Sequence, residues 1–310
     1  MNFFRQSFFV VFLIFVLSFV TAVSSTAATG IIPLEQIGEV EKLLYGSPQN
    51  IPMVKRIADI EQTVYSEKQS GSIVERAEKI INDVMISSEG EPSLLFLLNT
   101  VGWSLNGRVG RGTIVERLEN LEMMITGTKG EGPLWDRIKN LYKVSISGKE
   151  IPVKKVTIPD DQLIRIKLLE SIDSGQSYTG QLIPYEVVND ITIEDSLVIP
   201  SGMKGYLKVS DIKSAGKMGK DGDIKISFKK LMQLDGNYLS VELNEEAQEE
   251  NKSQKLAIGA SLLGTALFGL PGVVAGYFVE GEEEKIPAGS EFYIQSNGSQ
   301  EAFGLLVNND

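Results

Sequence analysis

The chain of 310 residues contains no cysteine and no histidine. Without histidine there is no Ser-His-Asp triad, no Cys-His pair and no imidazole base. Without either residue an ordinary zinc site, histidine-ligated haem and an iron–sulfur cluster are excluded. Disulfides are impossible, so packing and polar contacts must hold any fold together. Positive charge is also in deficit: 30 Lys+Arg face 41 Asp+Glu, a formal net charge of −11. That acidity argues against a nucleic-acid partner and against attraction to anionic lipid. Carboxylate, Ser/Lys and oxygen-ligated metal chemistries are compatible with this composition. No nucleophile has an evident activating partner, however, and neither a metal nor a cofactor is expected.

Long uncharged stretches are few, and the first is at the N-terminus. Residues 1–28 carry one positive charge, Arg5, then an apolar run from Phe8 to Val20 and small residues at Val20-Thr21-Ala22 and Thr26-Ala27-Ala28. This is the pattern of a secretory signal peptide. The run of 13 residues is shorter than the ~20 a membrane span needs, which favours a cleaved leader over an anchor. The expected location is therefore the periplasm or cell envelope, with outer-membrane association a further expectation.

Between residues 29 and 149 one motif recurs. Pro52-MVKRIAD-Ile60, Ser72-IVERAEK-Ile80, Thr113-IVERLEN-Leu121 and Pro133-LWDRIKN-Leu141 start 20, 41 and 20 residues apart. A unit at Ile32 keeps the apolar positions Leu34, Ile37 and Val40, and a degenerate unit near Pro92 fills the double gap. Met53, Ile57, Ile60 and Val64 form one helical stripe, so each unit reads as a short amphipathic helix. Ser72/Glu75 and Thr113/Glu116 are capping boxes. Helices this short are marginal alone and must pack on one another. Stacked repeats of this kind build scaffolds and binding surfaces. Arg56, Arg76, Arg117 and Arg137 share one repeat position. They form either a ligand-binding face or a set of pairs with acids on adjacent units, and the pairs are the expectation. The unit at 92–103 is apolar on nearly every side and is expected at the centre of the bundle.

From residue 150 to 310 the period changes to two. Candidate strands are Val153–Ile158, Gln162–Leu169, Ile183–Val188, Ser196–Ile199, Met203–Asp211, Asp223–Met232, Tyr238–Leu243, Ser290–Gln295 and Ala302–Val307. Asp235-Gly236 marks a hairpin. Turns recur at Ile158-Pro-Asp-Asp, Ile199-Pro-Ser-Gly and Ile286-Pro-Ala-Gly, where Pro sets φ and Gly takes the positive φ that follows. Many short strands with regular turns predict a closed or nearly closed antiparallel β-barrel or sandwich. The fold class is thus α+β, a helical-repeat array followed by a barrel.

The order of features in 156–296 carries a resemblance. An Ile-Pro turn and apolar strand lead to LVIPSGMKGYLKV at 197–209, a Gly-rich loop at 216–222, DIKISFKKLMQLDGNYLSVEL at 223–243 and a final IPAGSEFYI strand. This resembles the C-terminal β-barrel of the subunit that bridges inner and outer membranes in type IV secretion core complexes. The resemblance implies a ring-forming envelope barrel. That family carries an N-terminal membrane anchor and a Pro-rich linker, where this chain has a leader and helical repeats.

The second uncharged stretch, 256–279, lies between the charged runs 245–252 and 280–285. Its small residues follow small-xxx-small spacing, and Pro271-Gly272 halves it into stretches too short to span singly. A helical hairpin or re-entrant element is expected, with Gly259, Gly264, Gly269, Pro271, Gly272 and Gly276 as membrane or oligomer contacts. In the resembled family an insertion here forms the membrane-crossing helices of the ring. The alternative is a loop folded over the barrel's end. The function expected from these features is a non-enzymatic envelope scaffold or assembly protein, its partner an envelope protein or a second copy of itself. An exported carboxylate-dependent hydrolase acting on cell-wall polymer, or a soluble ligand-binding barrel, are the alternatives.

Overall fold

Each amphipathic repeat forms one short helix. In order they are α1 (Leu34–Tyr45), α2 (Met53–Tyr65), α3 (Ile73–Val84), α4 (Leu94–Asn106), α5 (Ile114–Thr126) and α6 (Leu134–Ser145). The computed structural model describes residues 32–145, 153–217, 219–253 and 281–307. The leader expected at 1–28, the boundary expected at 149–150 and the apolar segment 256–279 lie outside the described residues.

Helix starts and stops are written locally. Ser72 and Thr113 accept from the backbone N–H of Glu75 and Glu116, whose carboxylates bond back to the caps. Both are complete capping boxes, each worth about 1 kcal/mol. Gly46, Gly107 and Gly127 end α1, α4 and α5 at positive φ, where a Cβ would be strained. The stripes then meet in one core of Ile37, Ile57, Ile60, Ile80, Leu118, Ile138 and their neighbours. Tyrosines at the ends of α1 and α2 tie successive units together: Tyr45 Oη lies 2.9 Å from Thr63 Oγ1, and Tyr65 donates to Asp83 at 2.7 Å.

The array does not run on as an open stack. α1 packs on α5, and α2 on α6, where the Tyr65 and Trp135 rings lie 6.1 Å apart. An open row of so few helices would leave apolar stripes wet at both ends, and closing the bundle buries them. α4 is central. Leu94, Leu95, Leu97, Leu98 and Val101 enter the helical core, whereas Phe96 on its other side packs on Leu197, Leu234 and Leu305 of the strand half. From Leu94 to Gly102 the helix is covered on both sides and has no solvent face to pattern, hence its apolarity there.

The strands are β1 (Val153–Ile158), β2 (Leu163–Leu168), β3 (Ile172–Asp173), β4 (Leu182–Val187), β5 (Ile191–Ile193), β6 (Ser196–Ile199), β7 (Lys204–Lys213), β8 (Asp223–Met232), β9 (Tyr238–Glu242), β10 (Lys285–Ile286), β11 (Glu291–Ser296) and β12 (Gln300–Leu306). A closed barrel runs β11-β2-β4-β7-β8-β9, all antiparallel, with β9 paired back to β11. A second sheet, β1-β12-β6-β5, lies on it and shares its core through Val156, Ile158, Val198 and Ala302. The barrel interior is filled by side chains. Tyr185, Phe228 and Phe292 stack edge to face at 5.6 and 5.8 Å among buried Ile, Leu and Val residues. Three short strands, β3, β5 and β10, are additions to the strands that periodicity marks. The acidic run 245–252 is largely helical: α7 (Glu245–Ser253) docks on β11, where Asn251 donates to Tyr293 O at 3.0 Å and accepts from its N–H at 2.6 Å.

Helical and strand halves belong to one unit, residues 32–310. The Asp235-Gly236 hairpin tip is part of the seam rather than a free turn. Ser87 N–H donates to Asp235 O at 2.8 Å, and a Cβ on Gly236 would sit 1.7 Å from Met85 O, so only glycine permits this approach. The Pro200 turn is the second point of attachment, with Val109 N–H donating to Ser201 O at 2.7 Å. A Cβ on Gly202, at φ 86°, would lie 2.6 Å from Val109 O.

Candidate functional site

The repeat arginines sit at successive helix junctions. Arg56, early in α2, grips Glu41 of α1 through Nε at 2.7 Å and Nη2 at 2.6 Å. Arg76 of α3 grips Glu61 of α2 with the same two distances. Arg137 of α6 grips Glu122 of α5 at 2.9 and 2.7 Å. In each pair the glutamate stands 15 residues before the arginine. The forked geometry is the strong form of the ion pair. Two of the carboxylates also accept a backbone N–H from eight residues downstream, Gln49 to Glu41 and Gly130 to Glu122. In all three arginines the hydrogen bond to glutamate holds the guanidinium above its ordinary pKa, outweighing burial.

Arg117 departs from this pattern. Fifteen residues before it stands Gly102, so α4 supplies no carboxylate. Its Nη2 bonds the neutral Asn99 Oδ1 at 2.5 Å, and its buried Nε has no partner. The side chain is nonetheless withdrawn from solvent, with 7% exposure, and burial pushes its pKa down to about 10. Gly110 N–H, the register equivalent of the donors at Gln49 and Gly130, makes no hydrogen bond among the described residues.

The loop between α4 and α5 supplies further cations. Arg108 donates to Glu186 of β4 at 2.8 Å, Arg111 to the same oxygen at 2.9 Å, and Lys167 of β2 lies 3.1 Å from its other oxygen. Burial pushes Glu186 up, but the bonds from Arg111 and Lys167 and the charges of Arg108 and Arg111 outweigh it and hold the carboxyl below its usual range. Lys204 of β7 is lowered by burial first and then by the charges of Arg111 and Arg117. Four cations, Arg108, Arg111, Lys167 and Lys204, therefore act on one carboxylate in a protein whose net charge is −11, and Arg117 lies close enough to Lys204 to lower it. A cavity of about 140 Å³ opens in this basic patch, lined by Gly102, Gly110, Arg111, Arg117, Leu121 and Met124 among others. A wider cleft of about 410 Å³ lies beside it, lined by Asn106, Arg108 and Arg111 among others.

The four arginines thus occupy separate junctions and do not form a continuous ligand-binding face. Gly259, Gly264, Gly269, Pro271, Gly272 and Gly276 lie outside the described residues. Sequence reasoning passed over Gly102, Arg108, Arg111 and Glu186. The missing acid at 102 was discoverable by aligning the units fifteen residues upstream of each arginine. The convergence on Glu186, 75 residues after Arg111, has no local signal.

No protein-family profile matches the chain, and no curated protein matches it in sequence. Among solved structures, ComB10 of the Com type IV secretion system of Helicobacter pylori is similar over 46% of this chain and 88% of its own, at 20% identity and a TM-score of 0.27.

Proposed function

We propose that this chain is an exported, non-enzymatic scaffold or assembly protein of the cell envelope, whose helical bundle and barrel act as one platform for an envelope protein or a second copy of itself. The observation that carries this reading is the seam. Backbone bonds at Ser87–Asp235 and Val109–Ser201, a shared core at Phe96 and an ion cluster at Glu186 couple the two halves. Such a seam favours rigid presentation over domain motion. The filled barrel interior favours a platform over a barrel holding a ligand in its mouth. The leader at 1–28 supports export and an envelope location. The apolar segment 256–279 supports self-association or membrane contact. Both its flanks are anchored on the strand half, by Asn251 to Tyr293 before it and by Gly281 N–H to Gly216 O at 2.9 Å after it. Among the described residues no helix is long and apolar enough to cross a membrane.

Fractionation and native mass of the exported protein test the proposal. The wild type is expected in the membrane fraction or as an oligomer, and a variant with 256–279 replaced by a short Gly-Ser linker as a soluble monomer. Identical fractionation and mass for both proteins would overturn it.

A further inference from the structure

At three junctions a glutamate carboxylate takes two parallel N–H groups from an arginine, and at two of these it also takes a backbone N–H. At the fourth Asn99 takes Arg117 Nη2, and the donors that remain have no acceptor. Arg117 Nε–H is unpartnered and buried, Gly110 N–H is unpaired among the described residues, and the cavity opens over Gly102. A Cβ on Gly110 would lie 3.6 Å from Arg117 Nε and one on Gly102 would lie 3.8 Å from Gly110 N, so the three positions are neighbours.

We infer that this cavity is a carboxylate-binding site. The carboxylate lies where a glutamate at position 102 would place its own, accepting from Arg117 Nε and Gly110 N, and the apolar stem behind it rests on Leu121 and Met124. Two independent observations support the site: a buried, unpartnered nitrogen on an arginine that lines the cavity, and a cluster of cations beside it in an acidic protein. The first supplies the affinity that desolvated charge-assisted bonds allow. The second draws anions toward the cleft. A planar two-oxygen acceptor is favoured over a tetrahedral anion because the other junctions use these same donors on a glutamate. The carboxylate has two possible sources, a small free carboxylate or an acidic side chain of a partner protein entering through the adjoining cleft. The second source rests on the scaffold reading, whereas the site itself does not.

The test follows Arg117 Nε–H and the Gly110 amide by ¹⁵N NMR in the mature chain during titration with sodium propionate, with sodium chloride at equal ionic strength and inorganic phosphate as comparisons. Both resonances should shift saturably with propionate and not with chloride. Gly102→Ala should keep this response, since its Cβ would meet nothing closer than 3.8 Å. Gly102→Glu should abolish it by supplying the carboxylate internally, and should exceed Gly102→Ala in denaturation midpoint. Arg117→Gln should also abolish it. No saturable shift with propionate, an equal shift with chloride, stronger binding of phosphate, or a full response in Gly102→Glu would overturn the inference. A peptide bearing one Glu that competes about tenfold more tightly than propionate, while its Gln counterpart does not, assigns the site to a protein partner. A Glu peptide no tighter than propionate assigns it to a free carboxylate. Neither result depends on how the 256–279 variant fractionates, so the two proposals fail separately.

Discussion

Arg76 and Arg117 stand at the same position of the repeat and are equally withdrawn from solvent, at 6% and 7% exposure. Arg76 is held by a buried carboxylate in a complete fork, which keeps it protonated and satisfied. Arg117 has one neutral acceptor and an orphaned nitrogen, and burial works against its charge. The difference teaches that an internal repeat can be its own control. Three junctions show what the arginine does for the fold, so the fourth shows what is left over when the fold does not use it. An uncompensated buried charge is a cost to stability. Side chains kept at such a cost are those where function and stability pull apart.

The largest effect should come from breaking a complete pair. Glu61→Gln leaves Arg76 buried without its counter-charge and should cost about 3–5 kcal/mol, read as a lowered urea midpoint with unchanged slope. A loss below about 1 kcal/mol would remove the contrast between the junctions. A smaller, pH-gated effect belongs to Glu186. Its pKa is lower in the fold than in the unfolded chain, so its ion cluster contributes fully above the unfolded value of about 4.3. The contribution is lost as pH falls through the folded pKa. Stability measured across the acid range should therefore fall less steeply in Glu186→Gln than in the wild type; parallel curves would count against the cluster. The smallest effect sharpens the comparison from the other side. Arg117→Met removes one hydrogen bond, worth about 1 kcal/mol, and also removes a buried charge without a carboxylate. The two should nearly cancel, leaving the urea midpoint within about 1 kcal/mol of wild type. A loss as large as that of Glu61→Gln would place Arg117 with the other arginines.

Elements with strong local signals were legible before any fold was known. Capping residues at Ser72 and Thr113, the alternation of Asp223–Met232 and the Pro turns before β2, β7 and β11 are written within a few residues of where they act. β3 and β10 are two residues each, too short to show a period, and exist because they pair with one another across 112 positions. The helix at 245–253 was masked by its charge, since its docking depends on Asn251 against β11 and a buried Ala247 rather than on an apolar stripe. The closure of the bundle was equally hidden. Each unit shows an apolar stripe, but nothing in a stripe says that the first helix meets the fifth.

By itself the sequence determined the helices, most of the strands, the change of period near residue 150 and the repeated arginine with its expected acid on an adjacent unit. Each depends on neighbours along the chain, where side-chain spacing and backbone geometry act directly. Only the tertiary structure decided that the missing glutamate at Gly102 leaves a cavity, that Arg108 and Arg111 converge on Glu186, and that a hairpin tip at Gly236 locks the two halves. Those depend on residues far apart in sequence whose approach is set by the packing of whole elements. The absence of cysteine and histidine ruled out much chemistry, and the absence of one carboxylate marked where recognition is proposed.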